Sequence, residues 1–450
     1  MDSRREFLKK ILIVGGMLNF KTEVLARAST PVRKSIKEPL CTLYRSVNGT
    51  PASNITKVIE QMGGVEKVIG TYDVVVIKPN VQWWNQGSPN LSSLKAFVDM
   101  VMERPGGFKG EVVIAENCHR GISPETSASS GWAEQFDWNS DIPDVKNMND
   151  LSILLKKRYD KRFSTVHWID VEDGSKHIFS PSDGSGYVYC DGLSKVPMIT
   201  CDNGEKGDNY RATIMSYPVF STDSGTIIDF KHGVWKRGAY TDQPLRFINF
   251  AALNHHSIYC GATSAIKNYM GVTDLSGGPD PFKNGRLTGD YYNFHSFPFN
   301  KWASGPVPGM LGKEIGVFLK TIRKADLNIV TAEWIGLSSR TEHPLSHTQA
   351  VLACTDPVAL DYHATKYILY PNSRLDIHNP DNKNGPLHQY LGRCAEEYGG
   401  FFDEGNVEVR SYNFKTNSLQ GDSELVVSGN KIWGNSIKPI MKYFYLRYIG

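Results

Sequence analysis

The sequence predicts an α/β protein with a doubly wound, mostly parallel sheet, a β-rich insertion and a short C-terminal extension. Two patterns lead to this prediction. Uninterrupted apolar and β-branched runs, which are typical of strands buried on both faces, alternate with segments of helical spacing. The composition, 40% hydrophobic and 22% charged over 450 residues, is that of a globular chain long enough for a large core.

The first predicted elements form a βαβ unit, which a further helix and strand extend. Residues 73–77 and 111–115 are predicted strands, and residues 91–103 between them have helical spacing. Residues 151–157 are a predicted helix, and residues 165–169 are a third strand. Strands that alternate with helices in this way pair in parallel, with helices on both faces of the sheet.

Residues 173–225 interrupt this alternation. They are rich in Gly, Ser and Asp and contain alternating aromatic and apolar residues, so we expect a β-rich insertion. The α/β pattern then resumes, with predicted strands at 226–230, 247–253, 327–330 and 350–353 and predicted helices at 263–270, 314–323 and 357–369.

The predicted organisation therefore has four parts. Residues 1–28 are a signal peptide, residues 29–70 a lead-in, and residues 71–370 the α/β domain with its insertion. Residues 371–450 form the C-terminal extension, whose short alternating runs and aromatic, basic tail predict edge strands or a docking segment.

The N-terminus resembles a twin-arginine export signal. Arg4 and Arg5 precede Phe-Leu-Lys, residues 11–20 are apolar, and Ala-Arg-Ala ending at Ala28 is a small-x-small cleavage site. We expect export by the twin-arginine translocase to the periplasm or the medium, with cleavage after about Ala28. This route carries folded proteins, often ones that hold a cofactor. The alternative is a basic helix start followed by a core helix.

Charge and hydropathy exclude two classes of partner. Residues 1–28 hold the whole basic excess, with six Lys and Arg against three Asp and Glu, so the remaining chain is neutral. A nucleic-acid binder needs a basic face, and none is evident. No apolar stretch approaches the length of a membrane-spanning helix, so we expect no stable membrane span.

Seven cysteines are spread singly along the chain. They form no C-x-x-C motif, which argues against a four-cysteine iron–sulfur cluster. Export would permit up to three disulfides with one thiol left over, but spacing does not assign pairs. We expect all seven to be structural, with the least support for Cys260.

Polar residues follow several predicted strands, at the edge of the sheet where α/β proteins bind ligands. Lys78 and Asn80 follow the first strand, Glu116 the second and Asp170 the third. Lys78 is a candidate for binding an anion, with a surface lysine as the alternative. Glu116 and Asp170 are candidate metal ligands or general bases, with helix capping or solvation as the alternative.

A second group of polar residues surrounds the helix predicted at 263–270. His255 and His256 precede it, and because adjacent strand residues face opposite ways, we expect only one of them, His256, in the crevice. Lys267 and Asn268 lie in its first turns, where a cation opposes the helix dipole and so indicates a neighbouring anion. Ordinary helix capping is the alternative.

Histidines are concentrated between residues 232 and 363, which hold seven of the twelve. This segment is therefore the predicted place for a metal, with His343 and His347 as a loop pair of ligands beside His256. Pro344 argues against the helical zincin arrangement. Asp356 precedes Pro357 at a helix start, so a helix cap is its first interpretation and a role in the crevice its second.

Four motifs together resemble the domain of unknown function 362 family over about residues 70–370. They are Lys78-Pro79-Asn80, the run 248–257 through Asn254-His255-His256, the run 265–271 with Lys267-Asn268, and the run 355–361 with Asp356. The resemblance implies an α/β domain with a site at these positions. The family has Lys-Thr-His where this chain has Asn254-His255-His256, so His256 carries over and the lysine does not. The iron–sulfur cysteines that many relatives append are absent.

The resulting expectation is an exported protein that binds a metal or organic cofactor together with an anionic small molecule, for redox or isomerase-type chemistry. Lys78, Asn80, Lys267 and Asn268 would bind the anion. His256 would act as a ligand or proton carrier, and Asp356 would position it. One alternative is a non-catalytic periplasmic protein that binds a sugar or other small molecule on Trp83 and Trp84. Another is a structural or maturation partner that docks through the aromatic tail.

Overall fold

A ten-stranded mixed sheet forms the centre of the molecule. The computed structural model describes residues 40–118, 121–123, 130–204, 206, 212–275, 291–292, 294, 309–421 and 425–448. The predicted signal residues Arg4, Arg5 and Ala28 lie outside this range, as does the predicted cleavage site.

The described strands, in chain order, are β1 (Cys41–Val47), β2 (Val74–Pro79), β3 (Glu111–Asn117), β4 (Phe163–Trp168), β5 (His177–Ile178), β6 (Gly186–Tyr189), β7 (Thr200–Asp202), β8 (Ala212–Ile214), β9 (Ser216–Ser221), β10 (Ile227–Asp229), β11 (Gly233–Lys236), β12 (Ala239–Tyr240), β13 (Leu245–Ala252), β14 (Asn254–His255), β15 (Ala262–Thr263), β16 (Tyr291–Tyr292), β17 (Leu327–Gly336), β18 (Leu345–Cys354), β19 (Val407–Asn413), β20 (Ser418–Gln420) and β21 (Asn430–Ile432).

The described helices are α1 (Pro51–Gln61), α2 (Leu91–Met102), α3 (Met148–Tyr159), α4 (Ala265–Asn268), α5 (Met310–Thr321), α6 (Pro357–Ala364), α7 (Tyr370–Ser373), α8 (Pro386–Tyr398) and α9 (Ile437–Tyr448). Several begin at a side-chain cap, which explains where they start. Thr50, Asn90 and Asn147 each accept a hydrogen bond from a backbone N–H in the first turn of α1, α2 and α3.

The central sheet has the strand order β20-β19-β1-β18-β17-β13-β2-β3-β4, and β21 pairs with β18. The five strands from β17 to β4 are parallel to one another. β18 is antiparallel to both of its neighbours, β17 and β1, and β19 is parallel to β1. The predicted mostly parallel α/β sheet is confirmed.

Helices cover both faces of this sheet, because alternate residues of each buried strand are apolar on opposite sides. Val75 and Ile77 of β2 pack in one core with α1, α2 and α3. Val74 and Val76 pack in the other core, with α4, α5, α6, α8 and the inserted strands. The sheet is therefore doubly wound.

The β-rich insertion is larger than the predicted 173–225. Its main sheet has the order β12-β11-β10-β9-β6-β5 and extends to Tyr240, and β16, β8 and β7 form a separate three-stranded sheet. The prediction that residues 226–230 return to the α/β sheet is wrong, because β10 pairs with β9 and β11 in the insertion. An apolar run has the same local pattern in either sheet, so only its partners distinguish the two.

The central sheet also extends beyond the predicted 71–370 at both ends. β1 and α1 come from the predicted lead-in, and β19 to β21 come from the predicted extension. The described residues form one compact unit. Within the described residues, no helix combines the length and apolar character needed to cross a membrane.

Candidate functional site

The chain reverses its direction of travel through the sheet between β2 and β13. From β2 it proceeds to β3 and β4 on one side, and from β13 to β17 and β18 on the other, while β2 and β13 are parallel neighbours. The crossovers leave on opposite faces and open a crevice at the carboxyl ends of these two strands, which is where doubly wound proteins bind ligands. Both candidate cavities lie at these strand ends.

The smaller cavity brings together all four predicted ligand-binding residues. Lys78, Asn80, Lys267 and Asn268 line it, and its volume is about 30 Å³. That is room for a water molecule or a comparably small group. Glu116 also lines this cavity. Its place at the end of the second predicted strand indicates this edge of the sheet.

Glu116 neutralises the positive charge of Lys78, so this lysine needs no external anion. Lys78 Nζ lies 2.7 Å from Glu116 Oε1, and both side chains are almost fully buried. Burial raises the pKa of Glu116 and lowers the pKa of Lys78, while their mutual attraction opposes both shifts. Backbone N–H groups of Val81 and Asn117 also donate to Glu116, so we assign an ionised pair.

Gly271 permits this pair to form beneath the turn that follows α4. A Cβ atom at this position would lie 2.7 Å from Glu116 Oε1 and 2.8 Å from Lys78 Nζ. The absence of a side chain at Gly271 therefore lets the turn pass directly over the ion pair.

A polar row continues from this pair across the sheet. Asn249 lies beside Lys78 in the ladder of β13 and β2, and Asn328 lies beside Asn249 in the ladder of β13 and β17. Asn268 of α4 joins the row: its Oδ1 accepts from Lys78 Nζ at 2.7 Å, and its Nδ2 donates to Asn249 Oδ1 at 2.7 Å. Asn268 was predicted to bind a ligand, but its side-chain amide instead holds α4 on the sheet.

Lys267 also lines the smaller cavity, and it takes part in none of the hydrogen bonds of the polar row. It is half-buried, and its ammonium has no hydrogen-bond or ion-pair partner among the described residues. Burial lowers its pKa to about 8, and the nearby positive charges of Arg340 and Lys78 contribute. The buried Thr263 Oγ1, which also lines the cavity, is likewise without a partner among the described residues.

The larger cavity lies beside the loops that follow β13, β2 and β17. Its volume is about 330 Å³, and none of the described residues that line it is acidic. They are Trp83, His255, His256, Ser257, Ile258, Ser339, Arg340, Thr341, Ile377, Lys442 and Leu446.

Both adjacent histidines line this cavity, so the prediction that one of them faces away is wrong. The reason is local: β14 ends at His255, and His256 belongs to the following turn, where strand alternation no longer applies. His256 Nε2 lies 3.4 Å from the Arg340 guanidinium, which can only donate. Nδ1 of His256 therefore carries the proton and faces Ser257 Oγ and Cys260 Sγ, at 3.0 and 3.2 Å.

A chain of hydrogen bonds leads from the cavity into the core through His255. Lys442 Nζ lies 3.4 Å from His255 Nε2, and His255 Nδ1 lies 2.9 Å from Nε2 of His378. His378 Nδ1 in turn lies 2.7 Å from Ser373 Oγ. Because an ammonium can only donate, Nδ1 carries the proton in both imidazoles. Burial lowers the pKa of both histidines, that of His378 to about 3, so both are neutral.

The predicted metal ligands contact different neighbours. His347 Nε2 is bonded to Glu333 Oε1 at 2.7 Å, and His343 packs on Trp138. Across the described parts of the chain, no group of three or more His, Cys, Asp or Glu side chains is placed to hold a metal ion. His256, His343 and His347 do not form a common site, and the metal stays a prediction from the sequence.

Asp356 is a helix cap rather than a cavity residue. Its Oδ1 accepts from the backbone N–H groups of Val358 and Ala359, and its Oδ2 from that of Phe401. It lines neither cavity. Of the two interpretations that its sequence position allows, the structure therefore places it in the first.

Asp361 occupies the amino end of α4. Its two carboxylate oxygens accept from the backbone N–H groups of Ala265 and Ile266 at 2.8 and 2.9 Å. The chain itself thus supplies the anion for this helix end. Burial raises the pKa of Asp361 to about 7, against the opposite effect of these hydrogen bonds.

Sequence reasoning missed four residues of the larger cavity and its hydrogen-bond chain: Arg340, Lys442, His255 and His378. Arg340 follows β17, whose predicted end at residue 330 was too early for the strand-end rule to reach it. Lys442 belongs to α9 and His378 precedes α8, both in the predicted extension. A longer strand prediction at 327–336 was the one available signal, and it would have identified Arg340.

Comparison with known proteins adds no family assignment: no family model, curated protein or solved structure matches this chain. The resemblance to the domain of unknown function 362 family therefore remains a prediction from the motifs.

Glu116→Gln should destabilise the protein by about 3–5 kcal/mol, because it leaves the Lys78 ammonium buried without its counterion. Lys78→Met should cost a similar amount, and the Lys78→Met, Glu116→Leu double variant should recover much of the loss. Urea unfolding measures all three. The matched control is the exposed Lys57–Glu60 pair, where removal of one partner should cost under about 1 kcal/mol. Additive losses at Lys78 and Glu116 would contradict the pairing.

Asp361→Asn should change how stability depends on pH. With a folded pKa of about 7 and an unfolded value of about 4, the folded wild type holds a proton that the unfolded chain has released. Wild-type stability therefore falls as pH rises from about 4 to 7, by up to about 4 kcal/mol at this group. Denaturant unfolding across this window should show a shallower fall in the variant, whereas the exposed Asp223→Asn should keep the wild-type slope. Parallel curves for wild type and Asp361→Asn would refute the shift.

Proposed function

We propose that the larger cavity binds a small organic anion and that its lysine and histidines transfer a proton to or from it, as in isomerase-type chemistry. The observation that carries the proposal is the charge of the cavity. Arg340 and Lys442 line it, and no described lining residue is acidic. Cations without paired carboxylates in a concave site attract a ligand of negative charge.

Arg340 is held in position to receive the charged group. Its guanidinium lies over the ring of Trp83, 4.6 Å from the ring centroid. This stacking fixes the plane of the guanidinium, one nitrogen of which faces His256 Nε2, and its other N–H groups can donate to a carboxylate or phosphate.

The remaining surface suits the carbon skeleton of such a ligand. Ile258, Ile377 and Leu446 line the cavity beside Trp83. A volume of about 330 Å³ is at the lower end of the range for small-molecule sites, about 300–1,000 Å³. An organic acid or a phosphate monoester of a few carbon atoms fits this combination of size, charge and apolar wall.

Acid–base chemistry has its groups in place. Lys442 Nζ donates to Ser338 O at 2.7 Å and lies beside the neutral His255, which His378 and Ser373 support from within. A proton from the ligand can pass through Lys442 to Nε2 of His255, whose Nδ1–H faces Nε2 of His378. His256 presents a second imidazole to the same cavity, and its predicted role as proton carrier is part of this proposal.

Three further parts of the proposal rest on the sequence alone. They are export by the twin-arginine translocase to the periplasm or medium, membership of the domain of unknown function 362 family, and a metal or organic cofactor. The redox branch of the predicted chemistry depends on that cofactor, whereas the isomerase branch needs only groups that this chain supplies.

Arg340→Gln should weaken anion binding by about 10-fold to 100-fold, because it removes a charge-assisted hydrogen bond. The probes are a panel of dicarboxylates, aromatic carboxylates, phosphate monoesters and neutral sugars, ranked by thermal shift and measured by calorimetry. Arg393→Gln is the matched control, since Arg393 lies on α8 and pairs with Glu396. Tight binding of a neutral sugar that survives Arg340→Gln and is lost in Trp83→Leu would favour the non-catalytic sugar-binding alternative instead.

Proton transfer should appear as exchange of a ligand C–H with solvent deuterium. With the tightest-binding anion of the panel in D2O, NMR should show exchange by the wild type. Lys442→Met and His255→Gln should each slow it at least about 100-fold, while His255→Gln keeps the affinity. His388→Gln, whose imidazole is bonded to Pro380 O, should keep the wild-type rate. Binding without exchange for every anion would leave a non-catalytic binding protein.

A further inference from the structure

Two cysteines on neighbouring strands of the central sheet have their sulfur atoms in contact. Cys41 Sγ and Cys354 Sγ are 2.9 Å apart, although the two residues are separated by 313 positions in the chain. Cys41 is the first residue of β1 and Cys354 the last of β18. Sequence spacing could not assign this pair, because the contact depends on which strands become neighbours.

The sheet geometry points both side chains to the same place. β1 and β18 are antiparallel, with Tyr44 opposite Ala353. One more step along this ladder places Leu43 opposite Cys354, and Cys41 projects from the same face as Leu43, two residues away. The two cysteines are thus diagonal cross-strand neighbours, and both belong to the same apolar core.

We propose that Cys41 and Cys354 form a disulfide bond when the folded protein meets an oxidising thiol–disulfide couple. The Cys41 thiolate attacks one sulfur of the oxidant's disulfide and expels a thiolate, which gives a mixed disulfide. The Cys354 thiolate then attacks Cys41 Sγ, forms the Cys41–Cys354 bond and expels the second thiolate. The pair loses two electrons to the oxidant and two protons to solvent.

The surroundings support this order of attack. Cys41 is 6% exposed and Cys354 is 1% exposed, so the oxidant reaches Cys41 first. The hydrogen bond from the Cys354 thiol lowers the pKa of Cys41, which favours the attacking thiolate there. The same hydrogen bond and burial raise the pKa of Cys354, so Cys41 attacks the oxidant and Cys354 follows as the second nucleophile. Burial also raises the pKa of Cys190 to about 11 and that of Cys260 to about 12.

The inference is independent of the ligand proposal and agrees with the predicted export route. A twin-arginine substrate reaches an oxidising compartment already folded, so a disulfide made there requires two thiols that the reduced fold has already brought together. The bond would tie β1, the first described strand after the predicted signal, to β18 at the centre of the sheet.

The experiment is a thiol map of the reduced, full-length protein after incubation with oxidised glutathione. Remaining thiols are alkylated in denaturant, and the peptides are identified by mass spectrometry without reduction. We expect a peptide containing residue 41 linked to one containing residue 354, with the other five cysteines alkylated. Alkylation of both Cys41 and Cys354, a glutathione adduct that persists on Cys41, or a bridge between another pair would overturn the proposal.

Thermal unfolding of single variants provides a second measurement, in which each protein is compared with itself before and after oxidation. Oxidation should raise the melting temperature of the wild type by a few degrees, because the bridge restricts the unfolded chain. Cys41→Ala and Cys354→Ala should show no rise, whatever the substitution itself costs. Cys394→Ala, at another buried cysteine, should keep it. A rise that persists in Cys354→Ala would refute the assignment.

Discussion

The buried polar row that begins at the Lys78–Glu116 pair governs the arrangement of the crevice. Parallel strands buried on both faces leave few places for polar groups, so Lys78, Asn249 and Asn328 satisfy one another and the polar atoms of α4. An ammonium at this depth requires its carboxylate partner. Once the pair is formed, Asn268 fixes α4 over the sheet, and the position of α4 determines where Lys267 and the preceding histidine turn can lie.

Charge is distributed unequally around this row. At three places below the cavities the chain supplies the partner itself: Glu116 pairs with Lys78, Glu333 is bonded to His347, and Asp361 caps α4. At the cavity surfaces it does not. Lys267 lacks a partner among the described residues, and Arg340 contacts an aromatic ring and an imidazole. These buried groups are thus paired within the chain, whereas Lys267 and Arg340, which line the cavities, have no carboxylate partner among the described residues. This distribution of charge is typical of a site that binds an anion.

The sequence predicted the part of this site that follows from local rules. Lys78, Asn80, Lys267 and Asn268 converge because strand ends and helix starts meet at the same edge of a parallel sheet, and Asp356 caps a helix as its Asp-Pro context indicates. What could not be predicted depends on partners far along the chain. β10 and the strands of α/β units look alike until their neighbours are known, and Cys41, His378 and Lys442 reach their contacts across more than a hundred residues.

The two adjacent histidines show how a single turn changes the chemistry available. In a continued strand, one imidazole would face the core. Because β14 ends at His255, both line the cavity, and each directs Nε2 toward a cation. Donation from Arg340 and Lys442 to Nε2 fixes the tautomer of both rings. The cavity therefore takes its positive charge from Arg340 and Lys442 and its proton acceptors from the two imidazoles. That division lets one small site attract an anion and exchange a proton with it without losing its charge.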